Sequence, residues 1–423
     1  MNVKILCMSR SNNPIWRWLV EAYRVCRREF TLTFNDKGVV IFFLLLCAIY
    51  PVLYSLIYNT EVEHDMPVVV IDDCRSHLSR ELVRRLDATP EVAVVAYAAT
   101  MQEARDLLAR KKAYGIVAVP RDFETKVTMG QQSHITVFAD MGLMFRYKNL
   151  LMATTNVTQD MGGDILHAAV APVLYNHGAV IENRQVPIGN TAMGLGSAVL
   201  LFILPLVVQQ SMLLGIGMLH GGSIERRRRN GGYDPLGVDA RPGAMLAGKM
   251  VCYQVIYILP VIYALYIVPM LFDFPQNANL FNILVLAVPF IIASAMMGQV
   301  LRVFVNERES VFLLMVFTSV VFVFLTGASW PRHEMSRFWI AVGDCVPSTW
   351  MCNAYVLMQS DGATLHSVTH QLNMLWLLCG IFTVLAYVVE RWVSRPRYRN
   401  WQEKSAANPS ALHKYDLYKH GLG

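Results

Sequence analysis

The chain has 423 residues, 54% of them hydrophobic and only 16% charged. Soluble domains carry about 25% charged residues, and here the shortfall is local, because the charges avoid a set of long apolar runs. The net charge of +6 is modest for this length, so the arginines read as markers of membrane topology, with nucleic acid not expected as a partner.

The sequence predicts no cleavable signal peptide, since the first apolar run is too long and begins too late. Residues 1–37 form a cytosolic arm. Within it Trp16, Leu19, Val20, Tyr23 and Phe30 share one helical face, and Arg17, Glu21, Arg24, Arg27 and Arg28 take the others. A basic amphipathic helix of this kind lies in the headgroup plane with its apolar face down; a soluble surface helix is the plainer alternative.

Six spans are expected, at 38–58, 193–218, 250–272, 279–303, 310–329 and 373–391, each close to the ~20 residues a helix needs to cross ~30 Å of hydrocarbon. The first reads as a retained signal anchor. Twenty-two of the 37 Lys and Arg residues fall in the arm, the 219–249 loop, the 302–309 loop and the tail from Arg391. The short loops on the other side hold only Arg332 and Arg337, which places both termini in the cytosol. The fold class is therefore membrane α-helical: six transmembrane helices, an inserted extracytoplasmic α/β domain at 59–192, and an N-terminal amphipathic interfacial helix. Residues 193–391 carry spans two to six, and 392–423 form a cytosolic tail.

In the inserted domain, strands are expected at Val68–Ile71, Val92–Tyr97, Gly115–Val119 and Ile135–Phe138. Leu78, Leu82, Val83 and Leu86 mark one helix face, and Thr100 to Glu103 is a capping box opening another helix. A long helix from Phe145 to Tyr175 returns to the bilayer. The domain has no Gly-rich phosphate loop and no His/Cys/carboxylate cluster, so it reads as a binding module.

Gly243 to Lys249 fits GxxxxGK, but Met250 stands where Ser or Thr should meet Mg²⁺ and no strand precedes it. It reads as the start of a helix with a lysine at the headgroup level. No catalytic residue, metal site or cofactor is expected. The eight cysteines lack CxxC spacing; Cys345 and Cys352 either pair in an oxidising outer loop or stand as isolated thiols. His366 and His370 are four residues apart without an evident third metal ligand.

The spans lack Asp, Glu, Lys and Arg in their middles, which argues against ion-coupled transport. Gln209, Gln210, Gln254 and Gln299 are the notable polar residues there, serving either to hold helices together or to line a substrate path. Tyr253, Tyr257, Tyr263 and Tyr266 are either lining or packing. After the second span, Glu225, Arg226, Arg227, Arg228, Arg229, Asn230, Gly231 and Gly232 form either a headgroup patch or part of a short helix that another protein grips. The 330–372 segment is too apolar for open solvent and reads as interfacial or re-entrant.

Taken in order, the amphipathic helix before span one, Val70 to Asp73, Leu82 to Leu86, Gly115 to Glu124, Gly248-Lys249, Gly327 to Pro331 and Pro347 to Thr349 resemble the ABC-2 type permeases, specifically six-span exporter subunits with a large domain between spans one and two. The resemblance implies a coupling segment, here Glu225, Arg226, Arg227, Gly231 and on to Lys249, docked on a separate ATP-binding cassette subunit. It implies pairing with a second permease in a bacterial inner membrane and, in relatives of this shape, a periplasmic adaptor. Where that family usually has Gly-Thr followed by Glu, this chain has Gly231-Gly232-Tyr233-Asp234. The reading from another class is a membrane-anchored sensor or scaffold that uses its outer domain to bind a partner.

Overall fold

The computed structural model describes residues 13–57, 64–139, 144–170, 195–230, 234, 236–238 and 240–407, with side chains of 144–145, 166–170, 195 and 393–407 left aside. The chain divides into a helical unit, Met1–Asn59 with Ile188–Gly423, and a smaller unit, Thr60–Pro187.

In the helical unit, α1 spans Pro14–Asn35, begun by Asn13, whose side chain accepts from the Ile15 N–H, and by a proline in the first turn. Its large apolar residues Ile15, Leu19, Tyr23, Phe30 and Phe34 are all exposed, while Val25, Glu29 and Thr33 are buried. The amphipathic helix is thus docked by its mixed side, and its apolar stripe faces outward as an interfacial helix requires.

Four helices follow that have the length and apolarity to cross a membrane: α2 (Lys37–Ile57), α7 (Leu195–Arg229), α8 (Pro242–Leu271) and α9 (Leu280–Leu301), the last extended by a short turn through Phe304. A fifth lies in α13 (Thr369–Ala407), over Thr369–Trp392. The expected span at 310–329 is α10 (Ser310–Thr326), apolar but only 17 residues long, because Gly327 takes a left-handed conformation (φ 95°) and ends it. Span two differs as well: α7 does not stop at residue 218 but runs on to Arg229. Cationic side chains favour the last turn of a helix, where the macrodipole is negative, so the arginine run continues the helix.

Residues 330–372 fold as two short helices, α11 (Arg337–Asp344) and α12 (Pro347–Gln359). Phe338 and Trp339 are exposed on α11, whereas Ser348, Thr349, Met351 and Tyr355 of α12 are buried within the bundle. Cys345 is exposed and Cys352 is buried with its thiol donating to the Phe202 carbonyl (3.0 Å); both thiols are free.

Two membrane helices contain a single wider turn, Ile41–Leu45 in α2 and Tyr263–Ile267 in α8. Each presents a carbonyl to a buried tyrosine: Tyr257 donates to Phe43 O (2.7 Å) and Tyr355 to Leu265 O (2.6 Å). Tyr253 and Tyr257 pack edge-on against Phe43 and are fully buried, so these two tyrosines are packing residues.

The smaller unit is a four-stranded sheet in the order β2-β1-β3-β4, with β1 Met66–Asp72, β2 Val92–Tyr97, β3 Gly115–Val119 and β4 Thr136–Ala139. β1 runs parallel to β2 and β3, and β4 antiparallel to β3. Val68, Val70, Val117 and Val119 meet α3 (His77–Asp87) and α6 (Met144–Val170) on one face; Val69, Ile71 and Ile116 meet α4 (Met101–Ala109) on the other. α5 (Phe123–Thr128) follows β3. The Thr100 hydroxyl accepts from the Glu103 N–H (3.2 Å), half of the expected box, while the Glu103 carboxylate accepts from the Ala99 N–H (2.9 Å) and not from that of Thr100. A complete box, Ser76 with Ser79, opens α3. The expected helix to Tyr175 is described as far as Val170.

Candidate functional site: the arginine-rich end of α7

The last turns of α7 carry Ser223, Glu225, Arg226 and Arg227, and the chain then doubles back through Asp234. Asp234 is the knot of this region. Its carboxylate accepts from Arg226 Nε (2.9 Å), Ser223 Oγ (2.6 Å), Arg28 Nη2 (3.1 Å) and its own neighbour's Leu236 N–H (3.1 Å). Arg28 also donates to the Leu236 carbonyl. The side chain of Asp234 is only 2% exposed, which is tolerable because every direction is met by a donor. Burial pushes its carboxyl up, but Arg226 and Ser223, then the charge of Arg28, more than offset this and hold it below its ordinary 3.8.

Glu225 faces the other way. It accepts from the Arg308 N–H (3.3 Å) in the turn between α9 and α10, with Arg308 Nε 3.8 Å away. Arg308 also pairs with Asp36, which follows α1. Arg227 is half-buried, and Arg228 pairs with Glu307 (2.6 Å) in the same turn. The end of α7 is therefore tied to α1 through Asp234 and to the α9–α10 turn through Glu225 and Arg228. Gly231, named with these residues, lies outside the described residues.

Lys249 does not face outward. Gly243 to Lys249 is helical, within α8, and Lys249 is buried (6% exposed). Its ammonium donates to Gln299 Oε1 (3.1 Å) and stands 4.0 Å from Glu29 of α1, which also accepts from Tyr253 OH (3.4 Å). Gly248 beside it is what lets α1 come so near. A Cβ there would lie 2.8 Å from Val25 Cβ and press on the Ala22 carbonyl. A second buried pair, Arg302 with Glu390, joins the end of α9 to α13.

Among the described residues no hydrogen bond joins one of the four glutamines to another. Gln209 Oε1 accepts from the Ser348 N–H (2.7 Å) and from Ser294 Oγ (3.3 Å), joining α7, α9 and α12. It meets a first-turn donor of α12, a helix start that has no side-chain cap of its own. Gln210 Oε1 takes Thr318 of α10 (3.4 Å). The Nε2 groups of Gln209 and Gln210, Oε1 of Gln254 and the hydroxyls of Ser348 and Thr349 have no partner among the described residues. Gln299 is the partner of Lys249. Sequence reasoning named Asp234 only as a departure from the family pattern, and it missed Glu29 and the Arg302–Glu390 pair. Glu29 carried a signal, at four-residue spacing between Val25 and Thr33. Among the described residues no three His, Cys, Asp or Glu side chains are grouped as metal ligands.

Long apolar helices bound together by buried amides, five of them long and apolar enough to cross a membrane, define a multi-pass membrane protein. Residues 37–388 match the family model described as ABC-2 family transporter protein, and the chain belongs to that family. It is accordingly the membrane component of an ABC transporter, a transport subunit whose partner is an ATP-binding subunit. The match begins at α2, so α1 precedes it. No curated protein matches the chain.

Proposed function

We propose that this chain is the permease subunit of an ATP-driven exporter that pairs with a second permease, identical or not, in a bacterial inner membrane. α10 serves as the sixth span. Both termini are cytosolic, and the α/β unit lies in the periplasm, where it meets an adaptor protein. The ATP-binding subunit grips the segment from Glu225 through Arg226, Arg227 and Gly231 towards Lys249, and its nucleotide cycle moves the pair between inward- and outward-facing packings. The substrate is amphipathic or hydrophobic, with Gln209, Gln210, Gln254 and Gln299 its polar contacts along the way.

The observation that carries this reading is the Asp234 knot with its neighbour Glu225. A push on the arginine-rich end reaches α1 through Arg28 and the α9–α10 turn through Arg308, so a docked subunit has a stiff connection to three helices. The test is to purify the chain with its ATP-binding subunit, reconstitute both, and compare ATPase activity with that of Glu225→Lys. A lysine there faces Arg308, so the variant should insert normally yet lose the permease's effect on ATP hydrolysis. A chain that purifies without any nucleotide-binding protein, or unchanged ATPase control in the variant, refutes the assignment and favours a sensor or scaffold.

A further inference from the structure

A cavity of about 310 Å³ lies between α8, α9 and α13, lined by Gly243, Leu246, Ala247, Met296, Val384 and Tyr387 among others. It reaches the lower end of the ~300–1,000 Å³ typical of small-ligand sites. Its lining is almost wholly apolar; of the two residues there that carry hydroxyls, Thr383 and Tyr387, the Thr383 hydroxyl is turned back onto the Cys379 carbonyl of its own helix (2.6 Å). Beyond the Tyr387 hydroxyl, the wall offers nothing polar to orient a soluble metabolite.

The end of the groove at Gly243 is different. A Cβ on Gly243 would stand 3.6 Å from the Trp18 indole nitrogen of α1. Two residues before it, Arg241 is half exposed and shares Glu21 with its own backbone N–H (both 3.1 Å). Arg17 is exposed on α1 beside Trp18, and Arg391 is exposed one turn beyond Tyr387, next to Trp392, which is 82% exposed. Arg241 thus stands two residues from that end of the groove, held by Glu21, while Arg17 and Arg391 are exposed one residue from Trp18 and four from Tyr387. Indole and arginine side chains at this depth are what a lipid–water boundary selects.

From this arrangement we propose a binding site for one anionic phospholipid, an acyl chain filling the groove and the phosphate lying against Arg241, Arg17 and Arg391. The shape supplies the chain's burial, worth more with each methylene enclosed, and the rim supplies the preference for negative charge. Because the groove floor belongs to α8 and α13 and its mouth to α1, a lipid seated there bridges the interfacial helix to the bundle. The site does not depend on the export reading.

Native mass spectrometry of the full chain, delipidated in detergent and titrated with phosphatidylglycerol or phosphatidylcholine, tests it. The expected result is one tight site with phosphatidylglycerol preferred. Ala247→Phe, which fills the groove from inside, and Val384→Trp, which closes it from an exposed position, should each weaken that site about tenfold or more. Arg241→Gln should keep a bound lipid but weaken phosphatidylglycerol about fivefold relative to phosphatidylcholine. Leu313→Phe on the outward face of α10 is the control and should change nothing. If both filling variants keep the tight lipid, the groove is not the site. If the lipid is lost but never distinguishes the two headgroups, the anionic assignment is wrong. If tight binding emerges only after residues 1–12 are deleted, the arm is the occupant and the proposal fails.

Discussion

Asp234 shows how a single carboxylate organises a surface that composition alone describes as merely basic. Removing it leaves Arg226 and Arg28 facing a small apolar void, and losing one member of a buried ion network costs about 3–5 kcal/mol. Both arginines keep some exposure, 25% and 17%, so solvent reclaims part of that. Asp234→Ala is expected to cost about 2 kcal/mol, read as a lower temperature of aggregation in detergent, with Asp234→Asn between it and the parent. The sign of the pH dependence is fixed as well. Asp234 and Asp36 both have carboxyls held below 3.8 in the folded chain. Burial raises Asp36 too, and Arg308 overcomes it. A depressed folded value means that the stabilisation is complete above the unfolded value and disappears as acid carries the pH down through the folded one. The tie between α1 and α7 should therefore be level from neutrality to about pH 4 and fail below it, measurable as new protease cleavage around residue 30. Gln209→Leu leaves the Ser348 amide without its acceptor and should cost about 1–3 kcal/mol, with Gln209→Glu less harmful than leucine.

At the level of elements, the contact between α1 and α8 turns on one hydrogen atom's worth of space. Gly248→Leu would drive a side chain into the Ala22 carbonyl and Val25; an overpacked site of this kind costs about 1–3 kcal/mol, and α1 should lift away. Cys26 and Cys252 supply the readout, since their free thiols are neighbours across the two helices. A mild oxidant should join them in the parent chain and fail to do so in Gly248→Leu. Unchanged cross-linking would show that the glycine is not what sets the approach. Much of the element map was legible beforehand. β2 and β3 fall on the residues that their β-branched runs and flanking turn residues mark out. The end of α7 was harder, because a dense arginine run reads as a loop until its position relative to the helix dipole is considered.

Across the whole chain, hydropathy announces the membrane and the sequence order announces the family, but neither announces what meets what. Arg28 and Asp234 are 206 residues apart, and Glu29 and Tyr253 are 224 apart. No local pattern encodes pairings across such distances, so the knot and the buried lysine emerge only once the helices are assembled. The glutamines illustrate the same limit. Their presence in apolar helices was plain, but their destinations, a helix start for Gln209 and an ammonium for Gln299, are properties of the fold. The proposed topology has its own test. A single cysteine at Arg228 and another at Tyr97, both exposed positions, should react with a membrane-impermeant maleimide from opposite sides of sealed vesicles. Reaction from one side alone would overturn the orientation.

The brevity of α10 has a physical consequence for the surrounding bilayer. Seventeen residues at ~1.5 Å each reach about 26 Å, a few ångströms less than the ~30 Å of hydrocarbon that the longer helices span with ease. With α10 as the proposed sixth span, lipid beside that helix has to compress, at a fraction of a kcal/mol for each ångström of mismatch. Short-chain bilayers would relieve the compression, so the protein should survive heating better in membranes of fourteen-carbon lipids than in those of twenty-carbon lipids.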